Sequence, residues 1–95
     1  MIEMIFFTSN FEELERLPEG VELLVFAEGL MWVEMVGAAL RRNNVYHYTA
    51  AERKDEVEFY VQKKHRSEVE KTVKKYCTDK EQEYRERYRR MGYKI

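Results

Sequence analysis

Leu30, Met31, Trp32, Val33, Met35, Val36, Ala38, Ala39 and Leu40 form the stretch that most restricts what this chain can become. Glu34 is its only charged interruption before Arg41. At helical spacing these side chains point all round the axis, and a helix apolar on every side must be covered on every side. A sheet covers one side; another element or a second chain has to cover the rest. Arg41, Arg42 and Asn43 suit the C-terminal end, where cations and a residue tolerant of left-handed φ are favoured.

The window 21–40 is about as long as a membrane span. It contains Glu22, Glu28 and Glu34, and each charge near mid-bilayer costs roughly 2.5–3.5 kcal/mol on the insertion scale. Insertion is therefore not expected. The run Met1 to Phe7 lacks a basic region and a small-residue cleavage site, so it is not read as a secretory signal. A single cysteine, Cys77, excludes an internal disulfide framework and suits a reducing compartment. These features predict a cytoplasmic protein with no membrane partner.

Around the apolar helix the remaining pattern alternates between strand and helix signals. Residues 2–8 and 21–27 are apolar on both parities, as strands covered on both faces are. Between them, Ser9 to Glu12 has capping-box spacing and predicts a short helix over about 10–17, ended by Pro18 and Gly20. Residues 45–50 and 56–62 read as a hairpin. Its favoured register has a four-residue loop, pairs His47 with Glu58 and buries Tyr46 and Tyr48. A five-residue loop instead sets His47 beside Phe59 and leaves three tyrosines on the open face.

Ser67 to Glu70 is a second capping box, opening a long charged helix over 67–91 with the stripe Val69, Val73, Tyr76 or Cys77, Lys80, Tyr84, Tyr88, Met91. Thr78 to Glu81 repeats the box, which predicts a kink near 78. Gly92 suits the C-cap, and Tyr93 to Ile95 a docked tail. The whole chain, 1–95, is then one α+β domain: a small mixed four-stranded sheet with helices packed on it and a long C-terminal helix. The helix at 30–42 is expected to join parallel neighbouring strands by a crossover. In pattern, residues 21–77 resemble most of a ferredoxin-like split unit; no family is indicated by the residues themselves.

Charge is divided between the halves. Residues 1–52 hold nine acidic and three basic side chains, and residues 53–95 hold nine acidic and fourteen basic ones. Such asymmetry marks an anionic partner or one surface built to meet another. The run from Tyr84 to Lys94 interleaves Arg85, Arg87, Arg89 and Arg90 with tyrosines, and Lys63, Lys64 and Arg66 precede the helix. These seven are the candidate polyanion-binding residues, since cations track phosphates while rings stack on bases. The plainer reading is a solvated helix, because Glu70–Lys74, Glu81–Arg85, Glu83–Arg87 and Glu86–Arg90 are i,i+4 pairs in the favourable orientation.

No HExxH, CxxC, GxSxG, P-loop or GxGxxG pattern occurs, and there is no Cys/His cluster with zinc spacing. No catalytic, cofactor-binding or metal-binding residue is assigned. Glu28, Glu34 and the pair His47–Glu58 are the candidates for acid–base chemistry, and each has a structural explanation that fits better. The preferred reading is a non-enzymatic interaction or regulatory domain that self-associates as a homodimer. Met31, Trp32, Met35, Tyr84 and Tyr88 are its expected interface, because the apolar helix exceeds what a thin sheet covers. Nucleic-acid binding through the Tyr/Arg helix is the alternative.

Charged residues make up 37% of the chain, with only two Ser, two Gln and three Asn. That bias is common in hyperthermophile proteins and predicts a thermophilic origin. The protein is expected to melt above the range of about 45–65 °C usual for mesophile domains. A calorimetric midpoint inside that range overturns the expectation.

Overall fold

The computed structural model describes residues 4–95; residues 1–3, the start of the strand expected over 2–8, lie outside the described residues. Strand β1, Ile5–Thr8, is followed by β2, Glu13–Leu14, and β3, Val21–Glu28. Helix α1, Leu30–Arg42, leads to β4, His47–Arg53, and β5, Glu56–Gln62. A 3-10 turn, Lys63–His65, then runs into helix α2, Arg66–Arg90. The strands form one sheet in the order β2-β1-β4-β5-β3.

The α+β class and the long C-terminal helix agree with the sequence reading, but the sheet has five strands rather than four. It is not mixed, because every recorded pairing is antiparallel. β3 and β4 do run parallel to each other, since both are antiparallel to β5. They are not neighbours, because β5 lies between them. Residues 21–62 thus form a split β-α-β unit, the arrangement resembled in the sequence.

The short helix expected at 10–17 is absent, and Thr8 explains why. Its backbone N–H donates to the Glu12 carbonyl (3.0 Å) and its carbonyl accepts from the Phe11 N–H (2.8 Å). Its Oγ1 also accepts from the N–H groups of Asn10 (3.3 Å) and Glu12 (3.4 Å). These bonds turn the chain back on itself, with Phe11 at φ 60°. The result is a hairpin that pairs Phe6 with Leu14, and the hydroxyl at position 9 is not used as a cap.

α1 meets its need for cover within one chain. Val36, Ala39 and Leu40 pack with Leu24, Ala27, Val57, Phe59 and Val61 of the sheet and with Val69 and Val73 of α2. On the adjoining side Met31 and Met35 pack against Tyr84 and Tyr88 of α2. Gly29 starts the helix at φ 98°, a left-handed conformation glycine adopts without a Cβ penalty. Its N–H donates to the Asp55 carbonyl in the β4–β5 turn (2.6 Å), which ties the start of α1 to the hairpin.

α2 is one continuous helix of 25 residues through Thr78. Neither capping box is realised in it. Glu70 is held instead by Arg66 (2.6 Å) and Lys74 (2.9 Å), and Glu81 by Arg85 (2.7 Å). The helix ends in a Schellman motif: Gly92, at φ 99°, donates to Arg89 (3.0 Å) and Tyr93 donates to Tyr88 (3.0 Å). The tail docks as expected, with the Tyr93 ring against Tyr88 and Arg89 Nε on the Ile95 oxygen (2.7 Å).

Leu40 is fully enclosed where α1, α2 and the sheet meet. Leu40→Ala is expected to destabilise the fold by about 2–5 kcal/mol through lost burial and the cavity left behind. Urea denaturation measures this; a loss near zero would show that the three layers do not share one core.

Candidate functional site

Cross-strand partners share a face of the sheet, so register decides which residues are uncovered. His47 pairs with Val61, Tyr48 with Tyr60, Thr49 with Phe59 and Ala50 with Glu58. The favoured register, His47 with Glu58, is therefore incorrect, and the tight Lys54-Asp55 turn between Arg53 and Glu56 is shorter than the loop expected. The faces follow the five-residue alternative, with His47 beside the Phe59 ring (6.2 Å between centroids) and Tyr46, Tyr48 and Tyr60 on the other side.

Both helices pack on the face that carries Val57, Phe59 and Val61. The opposite face has no helix among the described residues. It carries Phe6, Tyr48 and Tyr60, with Leu23 of β3 opposite Tyr60 and Phe26 opposite Glu58. Tyr46 stacks edge-on against Tyr48 at 5.5 Å. The Tyr60 hydroxyl donates to Glu58 (2.9 Å). Partial burial and that carboxylate push its pKa up to about 12, so the phenol stays protonated.

At one side of the sheet β3 is the outermost strand, and no described strand pairs its outer edge. Leu23 and Phe26 are 39% and 45% exposed there. On the helix side of the same edge, Leu24, Val25, Trp32, Val36, Val73 and Cys77 border an apolar groove of about 240 Å³. The sequence signal for this surface is the double-parity apolar pattern of 21–27, which implies cover on both faces. The structure covers only one.

The expected interface residues mostly lie elsewhere. Met31, Met35, Tyr84 and Tyr88 are buried in the contact between α1 and α2, and Trp32 alone borders the open edge. The candidate polyanion residues fall into two groups, one at each end of α2. Several already have partners. Arg66 bonds Glu22 (3.3 Å) and Glu70, Arg85 bonds Glu81, and Arg87 reaches across to Glu34 of α1 (2.9 Å). Arg89 holds the tail. Lys63, Lys64 and Arg90 make no ion pair among the described residues. Of the four expected intrahelical pairs, Glu70–Lys74 and Glu81–Arg85 form. Arg87 instead takes Glu34, Glu83 takes Lys80 (3.6 Å) and Glu86 accepts from Gln82 (3.2 Å).

The acid–base candidates do not converge. Glu34 is engaged by Arg87 and the Tyr88 hydroxyl (3.4 Å), and Glu28 is exposed at the end of β3. His47 borders a cleft with Ser9, Asn10, Arg41, Asn44 and Tyr46, which neither glutamate reaches. The Cys77 thiol is pushed up by burial and then by the Glu81 charge, away from the thiolate a nucleophile needs. No group of three or more His, Cys, Asp and Glu among the described residues is placed to hold a metal ion. No described helix is long and apolar enough to cross a membrane. No family model, curated protein or solved structure matches the chain.

His47 is 4% exposed and its Nδ1 donates to the Val45 carbonyl (2.9 Å). Burial lowers its pKa below the ordinary 6.5, the Val45 bond opposes this, and the Arg41 charge adds to the lowering. The unfolded chain thus binds this proton more readily than the folded one. The His47 contribution is complete above the unfolded pKa and is lost as pH falls from about 6.5 toward the lower folded value. Thermal midpoints between about pH 7.5 and about pH 5.5 should therefore decline in the native chain, and decline less in His47→Gln. Equal declines would remove His47 as the source. The shift at Glu70 is also downward, so its effect lies below 4.5, outside this window.

Proposed function

We propose that this chain is a small non-enzymatic interaction domain that self-associates. One observation carries the reading: β3, eight residues long, is an edge strand with Leu23 and Phe26 exposed along it. The hydrogen-bonding edge of this strand is blunted by the irregularity at Leu24 and by Arg66 on the Leu23 and Leu24 carbonyls, which leaves the apolar face beside it as the surface for contact. Exposed hydrophobic patches of this kind usually mark interaction sites.

Binding of a nucleic acid has less support. The aromatic sheet face is suited to stacking, but Glu58 lies across it between Ala50 and Phe26, and Glu56 is paired with Glu28 near one end. Those carboxylates repel phosphates. The unpaired cations Lys63 and Lys64 are separated from Arg90 by the length of α2, about 35 Å at 1.5 Å per residue.

Light scattering on purified protein at high micromolar concentration should give about twice the chain mass of 11.6 kDa. The 260/280 nm absorbance ratio, read on the same sample, should be that of protein alone. A monomer at that concentration overturns self-association. Retained nucleic acid, lost steeply as salt rises, would favour the alternative.

A further inference from the structure

The geometry points to a binding site for a small phosphate monoester in the cleft between the β1–β2 turn and the end of α1. This goes beyond the self-association reading and does not depend on it. Three features carry it: the make-up of the cleft, an arginine seated without a partner, and the free nitrogen of a buried histidine.

The cleft measures about 340 Å³, at the small end of the range of about 300–1,000 Å³ usual for small-molecule sites. Apart from Val45, its walls are the polar side chains of Ser9, Asn10, Arg41, Asn44, Tyr46 and His47. None is a carboxylate, in a chain with 18 acidic residues. Glu12, in the same turn as Ser9, does not border it. Glu68 borders a separate cleft on the other side of the segment 44–46. Strand register brings the polar groups together. Thr8 pairs with Tyr48, so Ser9, one residue on, comes beside His47, one residue back. Thr8 Oγ1 makes the turn bonds, and the Ser9 hydroxyl makes none among the described residues.

Arg41 supplies the positive charge, and it makes no ion pair or side-chain hydrogen bond among the described residues. A cation at a helix C-terminus ordinarily serves the last carbonyls. Here those carbonyls have other donors: Asn43 Nδ2 on Ala39 (2.7 Å), the Val45 N–H on Leu40 (2.9 Å) and the Asn44 N–H on Arg41 (3.1 Å). The guanidinium folds back one turn instead and lies over Gly37. A Cβ at position 37 would sit 3.0 Å from Arg41 Nη1, and the three nearest atoms it would meet all belong to Arg41. Glycine in a helix interior is less stable than alanine, and what its bare backbone accommodates at this position is the Arg41 side chain. The fork is therefore seated, charged and unpartnered, and an arginine fork matches the oxygens of phosphate or carboxylate.

His47 separates these two ligand groups. Its Nδ1 donates to the Val45 carbonyl, so in the neutral ring Nε2 is an acceptor. Nε2 makes no hydrogen bond among the described residues, yet no enclosed side-chain nitrogen or oxygen among them lacks a partner. Nε2 therefore opens onto the cleft that the ring borders. Burial first, and the Arg41 charge after it, favour the neutral ring against the pull of the Val45 bond. An ionised carboxylate has only acceptors to offer and would face Nε2 without a proton between them. A phosphate monoester has a second pKa near 6. It accepts from Arg41 through one oxygen and shares its proton with Nε2 through another. The Ser9 hydroxyl and the amides of Asn10 and Asn44 border the same space and supply donors for the remaining oxygen.

The test is a titration of the full chain with inorganic phosphate, followed by the ring signals of His47 and His65 in NMR spectra. Acetate at equal ionic strength forms the second arm, and circular dichroism confirms that each variant is folded. Phosphate should move the His47 signals saturably, and acetate should bind about tenfold more weakly. Arg41→Gln should weaken phosphate about tenfold, and Arg41→Lys, which keeps the charge without the fork, nearly as much. Arg16→Gln, which removes the same charge elsewhere on the surface, should leave binding unchanged. Gly37→Ala should weaken binding by moving the guanidinium, with no loss of thermal stability. Absence of a saturable shift overturns the site, as does a shift at His65 alone, which would move the anion to the start of α2. Equal losses in Arg16→Gln and Arg41→Gln would show general charge attraction and overturn it too. Acetate binding as tightly as phosphate overturns the assignment to phosphate, and an unaffected Gly37→Ala overturns the seat assigned to Gly37. These outcomes are the same for a monomer and a dimer, so self-association stands or falls separately.

Discussion

The contact between α1 and the two surfaces that enclose it governs the rest of this structure. A helix carrying Met31, Met35, Val36, Ala39 and Leu40 has more apolar surface than the sheet alone can cover. The sheet takes Val36, Ala39 and Leu40, and α2 takes Met31 and Met35 through Tyr84 and Tyr88. α2 has to be long because it serves both ends of that task, meeting the sheet through Val69 and Val73 and the start of α1 through Tyr88. The cost is that both helices are committed to one face. Neither helix is left for the face bearing Tyr48, Tyr60 and Phe26, and α2 reaches the outer edge of β3 through Arg66, on the Leu23 and Leu24 carbonyls.

Much of this architecture was legible in the sequence. The bounds of α1, the strands on either side of it and the helical stripe Val69, Val73, Tyr84, Tyr88 follow from periodicity, which reports burial directly. What failed shares a physical origin, because in each case the expected partner was outcompeted by another. The spacing from Ser9 to Glu12 fits a cap, but Thr8 is one residue nearer and closes a turn with side-chain and backbone bonds together. The spacing from Glu83 to Arg87 fits an ion pair, but Glu34 approaches from α1 and takes the guanidinium. The first competitor is itself local, a second hydroxyl offering the same few residues a turn instead of a helix; the second is 53 residues away, out of reach of a rule that looks three or four residues along the chain.

The hairpin shows the same limit more sharply. Assigning His47 to the wet face treats an imidazole as a polar group that needs water. In the fold its Nδ1 finds the Val45 carbonyl two residues back and the ring lies beside Phe59. A satisfied polar group is buried at little cost, so residue type alone misassigned the face. The candidate surface was hidden for the same reason. Placing Tyr46 and Tyr48 on the buried side removed from view the aromatic cluster they form with Tyr60 on the uncovered one.

The charge division acquires a more specific meaning from these contacts. Two ion pairs already join the acidic half to the basic half within one chain, Glu22 with Arg66 and Glu34 with Arg87. Each sits where α2 meets the split unit, so part of the asymmetry serves to seat the long helix. Arg66 also donates to the Leu23 and Leu24 carbonyls, so the residue that seats the helix caps the middle of the β3 edge as well. A strand edge whose central acceptors are taken by an arginine resists pairing with a stray strand, which is the part a proline or a covering helix plays for other edge strands.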